Sequence, residues 1–198
     1  MASVPLADVA ADKVRARRRG RARPLLVVLD AITDPGNLGT ILRSALASDA
    51  DEVLIAPGCV DALSPKVVRA GAGAHFFLPV RTGLDWDQIK TWVHGAPSVR
   101  QILLAEAEGN RPYDSFDLTV RTALVICNEA HGASPEAAKL SRLHVSIPMW
   151  NKVESLNAAV AASVILFEAA RQRRVREAGM AQASDAEDVD SANEQDEE

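Results

Sequence analysis

The sequence has 198 residues, which is enough for one domain of ordinary size with residues left over for tails. Apolar residues make up 47% of it and aromatic residues only 4%, so the core must be built from Val, Ile, Leu and Ala. No stretch approaches the roughly 20 apolar residues of a membrane span, and the start lacks the apolar run of a secretory signal. The two cysteines, Cys59 and Cys127, form neither a metal-ligand spacing nor a disulfide framework, which favours a cytoplasmic protein.

The net charge of −5 is unevenly distributed along the chain. Residues 1–23 carry seven Lys and Arg against two acids, whereas residues 177–198 carry nine Asp and Glu and no base. The basic segment favours a flexible arm that contacts phosphates, although a solvated leader fits it equally well. The acidic segment has almost nothing to bury and is predicted to be a disordered tail. A single folded domain is therefore predicted between them, at 24–176.

Six short apolar runs are predicted to be β-strands, because each has strand length and is mostly apolar on both faces, as in a covered parallel sheet. They lie at 25–30, 52–57, 75–80, 101–105, 122–128 and 143–149. Helices are predicted at 38–46, after the Ser-Pro pairs at 64–65 and 134–135, at 85–93, and from about 155 to 174. This alternation predicts an α/β fold with a mainly parallel six-stranded sheet flanked by helices.

Ligands of such sheets bind beyond the carboxyl ends of the strands, so the segments that follow the strands are the places to search. Three of them, 30–43, 127–134 and 147–157, are rich in polar residues and in Gly or Pro. In the first, Asn37 is placed to cap the next helix, and Arg43 emerges from nearly the same side six residues later. The pair could be a cap and a surface charge, or a site in which the guanidinium grips a phosphate.

The second and third segments add further candidates. Glu129 directly follows a buried strand, where a carboxylate needs a partner. Cys127 and His131 suggest a nucleophile and its base, but a Cys at a strand end usually behaves as a small hydrophobe. In the third segment Ser155 is predicted to cap the long helix, with Asn157 in its first turn.

Together these segments resemble a known family. DPGNLGTILRSA (34–45), NEAHGAS (128–134) and IPMWNKVESLNAAVAAS (147–163) look like the three motifs of the SpoU (TrmH-type) RNA ribose methyltransferases of the SPOUT superfamily. The stretch SPKVVRAGAGAHFFLPV (64–80) is also similar to the family, and the resemblance covers roughly 25–170. It implies a SpoU-type methyltransferase domain with a C-terminal trefoil knot, a homodimer, and S-adenosylmethionine bound within the knot. Sequence physics alone predicts no knot, because knots are rare.

The resemblance also assigns roles to individual positions. The residues that match the family's catalytic motif positions are Asn37, Arg43, Glu129, Ser155 and Asn157. Those that match or adjoin the positions meeting the methyl donor are Cys127, Asn128, Ile147, Met149 and Leu156. The chain departs from the family where Cys127 and Asn151 replace glycines, which at such places allow close approach or positive φ. Asn151 tolerates positive φ better than most residues, whereas Cys127 adds a side chain beside the expected cofactor.

The resemblance implies methyl transfer from S-adenosylmethionine to a ribose 2′-hydroxyl of RNA, with rRNA favoured over tRNA and no metal. An arginine is essentially always protonated, so Arg43 is expected to stabilise the developing alkoxide rather than to act as the base. The alternative is a non-catalytic RNA-binding protein that keeps the fold and has lost the cofactor, as Cys127 and Asn151 could indicate. A nucleotide-dependent α/β enzyme is disfavoured, since the chain has no GxGxxG or GxxxxGK[ST] motif.

Overall fold

The computed structural model describes residues 24–95, 99–129, 131–151 and 153–195. Among these residues seven strands form one sheet in the order β3-β2-β1-β6-β4-β7-β5, and every pair of neighbours is parallel. The strands are β1 (Leu25–Asp30), β2 (Glu52–Ile55), β3 (Val80–Arg81), β4 (Gln101–Ala105), β5 (Arg111–Pro112), β6 (Thr122–Cys127) and β7 (Leu143–Ser146). The predicted α/β fold with a mainly parallel sheet is confirmed, with seven strands rather than six.

Helices cover both faces of the sheet. They are α1 (Pro35–Ala47), α2 (Pro65–Ala70), α3 (Trp86–His94), α4 (Pro135–Leu140) and α5 (Ala158–Gln195). Alternate side chains of β1 lie on opposite faces of the sheet. Leu25, Val27 and Leu29 pack in a core cluster with α1 and α5. Leu26 and Val28 pack in a second cluster with α3 and α4. This two-sided burial explains why the central strands are continuous apolar runs.

The predicted strand at 75–80 is wrong in most of its length. The chain turns at Gly73, where φ is +87°, and enters a short 3₁₀ helix at Ala74–Phe76. Phe76 and Phe77 are then about half exposed, so the apolar run at 75–78 is not a buried strand. β5 was not predicted, because its two exposed residues carry no apolar pattern.

The last helix is longer than predicted. Instead of ending near Arg174 with a disordered tail beyond it, α5 continues to Gln195, so it is about 57 Å long. The added segment has no proline, and its most frequent residue is Ala, the best helix former. The basic arm 1–23 lies outside the described residues. None of the described helices is both long and apolar enough to cross a membrane.

Candidate active site

The polar segments converge at one edge of the sheet. Strands β1, β6, β4 and β7 are consecutive and parallel, so the segments that follow them leave the sheet at the same edge. The segment after β1 leads into α1, and the segment after β7 leads into α5. These two helices lie on the same face of the sheet and contact each other. The start of each helix is therefore brought to the same place.

Helix α1 begins differently from the prediction. Asp34, not Asn37, is its N-cap: an oxygen of Asp34 accepts a hydrogen bond from the backbone N–H of Asn37 (2.7 Å), and Pro35 occupies the first turn. Asp is a strong capping residue, and proline is favoured at the first helical position, so this pair fixes the start of the helix. The side chain of Asn37 is thereby left free for other contacts.

Asn37, Glu129 and Asn157 form a hydrogen-bonded group that we call the site cluster. The side-chain amide of Asn37 donates to Glu129 Oε1 (3.2 Å), and that of Asn157 donates to Asn37 Oδ1 (2.9 Å). A longer contact of 3.5 Å joins the Asn157 amide to the same Glu129 oxygen. Residues separated by up to 120 positions in sequence thus meet at the edge of the sheet.

Asn157 also starts α5. Its Oδ1 accepts hydrogen bonds from the backbone N–H groups of Ala159 (3.0 Å) and Val160 (3.4 Å). The prediction that Ser155 caps this helix is therefore wrong, because the helix begins three residues after Ser155, and Asn157 lies before the first turn rather than in it. Ser155 is exposed and lines the cavity described below.

Arg43 lies on α1, beyond the site cluster. It is exposed and forms no hydrogen bond or ion pair with any described residue. One turn before it, Gly39 packs directly against α2: a Cβ at this position would lie 2.5 Å from the Cβ of Ala70 and 2.7 Å from the carbonyl oxygen of Val67. Only glycine allows this approach, so the contact fixes the helix that carries both Asn37 and Arg43.

A cavity of about 380 Å³ adjoins the site cluster and shares Glu129 with it. Its walls come from the segments after β4, β6 and β7 and from the start of α5. All five predicted cofactor-binding residues line it, namely Cys127, Asn128, Ile147, Met149 and Leu156. The structure therefore brings four of the five predicted catalytic residues to this cluster and cavity, and places Arg43 further along α1.

The two departures from glycine are accommodated. Asn151 adopts φ of +59°, so it retains the left-handed backbone that a glycine would permit. Cys127 lines the cavity, but its side chain packs in the second core cluster, on the face away from α5. Burial raises the pKa of the Cys127 thiol, and the nearby Asp30 carboxylate raises it further. A thiol held protonated in this way is a poor nucleophile.

One wall of the cavity was not predicted from the sequence. Ala105, Glu106 and Glu108 line it from the segment after β4. The signal was present, since this segment also follows a parallel strand and contains acidic residues and Gly109. It was passed over because the other three segments carry more polar residues.

Comparison with known proteins gives a consistent result. Residues 24–167 match the model of the SpoU rRNA Methylase family. The chain is 34% identical over 201 residues to the mitochondrial rRNA methyltransferase 3 of Mus musculus, covering 77% of this chain and 48% of that protein. It is 39% identical over 152 residues to the 23S rRNA (uridine(2479)-2′-O)-methyltransferase of Streptomyces viridochromogenes, covering 74% of this chain and 52% of that one.

A solved structure is also similar. The SpoU methyltransferase AviRb from Streptomyces viridochromogenes, in complex with the cofactor AdoMet, superposes with a TM-score of 0.73 at 38% identity. The superposition covers 77% of this chain and 59% of AviRb. The chain spans about half the length of the curated relatives it matches.

Proposed function

The chain belongs to the SpoU rRNA methylase family, and on that premise we propose that it transfers a methyl group from S-adenosylmethionine to a ribose 2′-hydroxyl of ribosomal RNA. The observation that carries the proposal is the site cluster, in which Asn37, Glu129 and Asn157 are hydrogen-bonded to one another at the cavity. A helix cap and a surface charge would explain Asn37 and Arg43 singly. They do not explain an amide that turns away from its own helix end to bind a distant carboxylate.

The cavity suits S-adenosylmethionine. Its volume of about 380 Å³ lies in the usual range for small-ligand sites, which is roughly 300–1,000 Å³. Ile126, Ile147 and Leu156 offer an apolar wall for a flat adenine ring. Glu129 and Glu154 line the same cavity and would attract the positively charged sulfonium and ammonium groups of the donor. When bound, this donor supplies an activated methyl group with its own leaving group.

Arg43 has the role of an electrostatic stabiliser in this proposal. The reaction is an in-line displacement, so the 2′-oxygen must come within about 3–3.5 Å of the methyl carbon. Arginine keeps its proton at any ordinary pH, and its guanidinium can therefore balance the charge that grows on the ribose oxygen and grip the adjacent phosphate. Its freedom from other described partners supports this, because no ion pair has to be broken.

The site cluster orients the reacting groups. Asn157 holds Asn37 while its own oxygen caps α5, so the positions of two helix ends are coupled through one amide. The two asparagines donate to Glu129 without neutralising it. Its carboxyl oxygens are therefore placed to accept a proton released by the ribose hydroxyl, directly or through water.

A homodimer forms part of the proposal. Val160 and Phe167 lie seven residues apart on one side of α5, and each is about half exposed. Because α1 packs beside α5, a second copy that covers this stripe would come close to Arg43. Light scattering of the purified protein tests this, and a monomer at micromolar concentration would contradict it.

Two further features remain proposals. A trefoil knot in the C-terminal half is expected from the family. The vertebrate relatives are named as mitochondrial, whereas the Streptomyces relative is not, so the predicted cytoplasmic location stays a prediction. Fractionation of cells that express the full chain tests the location.

The decisive experiment combines donor binding with product mapping. Calorimetry with S-adenosylmethionine should give a dissociation constant in the micromolar range, and mass mapping should find one ribose methyl group that disappears from rRNA when the protein is deleted. Loss of the methyl group from tRNA instead would correct the substrate. The absence of donor binding at millimolar concentration would favour the non-catalytic RNA-binding alternative.

A further inference from the structure

The loop after β4 is hydrogen-bonded to β7 and packs closely against it. The backbone N–H of Glu106 donates to the carbonyl oxygen of Val145 (2.9 Å), and the hydroxyl of Ser146 donates to the carbonyl oxygen of Gly109 (3.0 Å). A Cβ at Gly109 would overlap the backbone of Val145, so the two segments are in direct backbone contact. Glu106 therefore stands on a fixed backbone in the wall of the cavity.

The side chain of Glu106 is fixed as well. Its Oε2 lies 2.7 Å from Nδ1 of His144 on β7, and both side chains are about one-third exposed. Within the described residues, Oε1 of Glu106 forms no hydrogen bond. One oxygen of this carboxylate is thus committed to His144, and the other remains an acceptor without a protein donor. A carboxylate in a cavity wall needs such a donor from a ligand or from water.

The position of Glu106 indicates which part of a ligand it can meet. β4 lies two strands from β1, and strands are about 4.8 Å apart, so Glu106 lies roughly 10 Å from the segment that carries Asn37. Glu106 therefore lies beyond the segment after β6, away from Asn37, in the wall of the cavity. A donor whose adenine ring lay on the apolar wall of this cavity would present its ribose, which bears two O–H donors, to Glu106.

We propose that Glu106, positioned by His144, is a specificity-determining residue of the cavity that accepts a hydrogen bond from a ribose hydroxyl of S-adenosylmethionine. The proposal rests on the proposed function, because it takes S-adenosylmethionine as the occupant. The adenine ring is placed by the apolar wall, and Glu106 distinguishes a ribonucleoside donor from a deoxyribonucleoside.

A binding cycle tests this role. Calorimetry would measure the dissociation constants of S-adenosylhomocysteine and of its 2′-deoxy and 3′-deoxy analogues for the wild type and for Glu106→Ala. In the wild type, removal of the correct hydroxyl should weaken binding roughly tenfold or more, as for a hydrogen bond to a charged group. Glu106→Ala should bind the parent ligand more weakly by a similar factor. It should bind the deoxy analogue with the same affinity as the parent ligand.

His144 is tested through the same cycle. His144→Ala should bind the parent ligand severalfold more weakly and should show a smaller difference in affinity between the parent ligand and the deoxy analogue. His144→Gln keeps an N–H donor and should restore most of that difference in affinity. Glu106→Gln preserves the size of the side chain and removes its charge, and it should lie between the wild type and Glu106→Ala. Asp114→Ala is the matched control and should leave donor binding unchanged, since Asp114 is an exposed acidic residue outside the lining of the cavity.

The possible outcomes separate the two proposals. If the wild type binds the ligand and Glu106→Ala binds it equally well, Glu106 has no such role and the proposed function is untouched. The inference would also be overturned if the losses of affinity from Glu106→Ala and from the missing hydroxyl were additive, because additive losses would mean that the two groups do not contact each other. If the wild type binds neither S-adenosylmethionine nor S-adenosylhomocysteine at millimolar concentration, the proposed function itself fails. Equal melting temperatures would show that the variants are folded.

Discussion

Two glutamates, each at the centre of a three-residue network, have opposite surroundings. Glu52 on β2 is 8% exposed, and it accepts from Arg81 Nε (2.5 Å) and Trp92 Nε1 (2.8 Å), while the Arg81 guanidinium stacks 3.7 Å from the Trp92 ring centroid. Glu129 in the site cluster is exposed and is held by the neutral amides of Asn37 and Asn157. We call the first group, Glu52, Arg81 and Trp92, the edge cluster.

The difference separates a stabilising role from a functional one. A buried carboxylate must be paired, and the edge cluster supplies a cation, an indole donor and a cation–π contact that tie β2, β3 and α3 together. In the site cluster, two neutral amides hold the Glu129 side chain in place without a positive charge beside it. Glu129 is therefore placed to act on a substrate. We therefore expect changes to the edge cluster to alter stability and changes around the site cluster to alter turnover.

The largest effect is expected beside the site cluster. Arg43→Ala should lower kcat about 10²- to 10³-fold, because it removes the cation that balances the developing alkoxide. Its melting temperature should stay that of the wild type, since the side chain is exposed and has no described partner. Methyl transfer to substrate RNA under single-turnover conditions measures the effect.

Two variants control this measurement. Arg69→Ala removes a comparable exposed arginine from α2 and should keep most of the activity. Nearly full turnover with an unchanged pH profile in Arg43→Lys would exclude chemistry that depends on the geometry of the guanidinium.

The next largest effect tests the edge cluster. Arg81→Ala removes the cation beside the largely buried Glu52 carboxylate and should lower the free energy of unfolding by about 3 kcal/mol. Donor binding measured well below the melting temperature should be unchanged. Urea denaturation gives the first quantity and calorimetry the second, and a variant that kept its stability but lost donor binding would reverse the comparison.

A smaller effect is expected from Glu129→Gln, which keeps the shape of the site cluster and removes its charge. Turnover should fall about tenfold, which is less than the roughly 10²- to 10⁴-fold contribution of an essential general base, because water can also accept the proton. The free energy of unfolding should change by less than about 0.5 kcal/mol, as for exposed positions generally. A drop in stability comparable to that of Arg81→Ala would show that the site cluster also holds the fold together.

The smallest effect concerns Cys59, whose sulfur is hydrogen-bonded to the backbone of Leu29 and Ile32. Burial raises the pKa of this thiol to about 11. Alkylation of the native protein near neutral pH should therefore be slow, with rapid labelling only after unfolding. Because the folded-state pKa lies above the unfolded value, stability is retained below about pH 9 and is lost as the pH rises towards 11. Mass spectrometry after timed alkylation checks the first expectation.

The sequence predicted the interior of the fold better than its edges. β1, β4 and β6 were placed within a residue of their observed ends, because each is a mostly apolar run of strand length in the middle of the sheet. The failure at 75–80 has the opposite cause: a positive φ at Gly73 redirects the chain, and hydrophobicity alone does not reveal that the two Phe side chains are then exposed.

The site was predictable in its members but not in its geometry. Asn37, Glu129 and Asn157 were identified from their motifs, whereas their mutual hydrogen bonds depend on which residues cap α1 and α5. The competition between Asp34 and Asn37 was decided by Pro35, a local rule that the sequence contains. Glu106 was missed because its partner His144 lies 38 residues away, on a strand whose neighbour in the sheet the sequence does not specify.

The close contact at Gly39 also limits how α1 can move relative to α2. Backbone packs on backbone between α1 and α2, so no side-chain rotation can let one helix slide along the other. The amides of α1 around Gly39 are therefore expected to become accessible to deuterium when α1 and α2 separate. We expect the amides of α1 around Gly39 and those of α2 to exchange at a single opening rate. Asn37 and Arg43, which α1 carries, should then move together as one rigid unit.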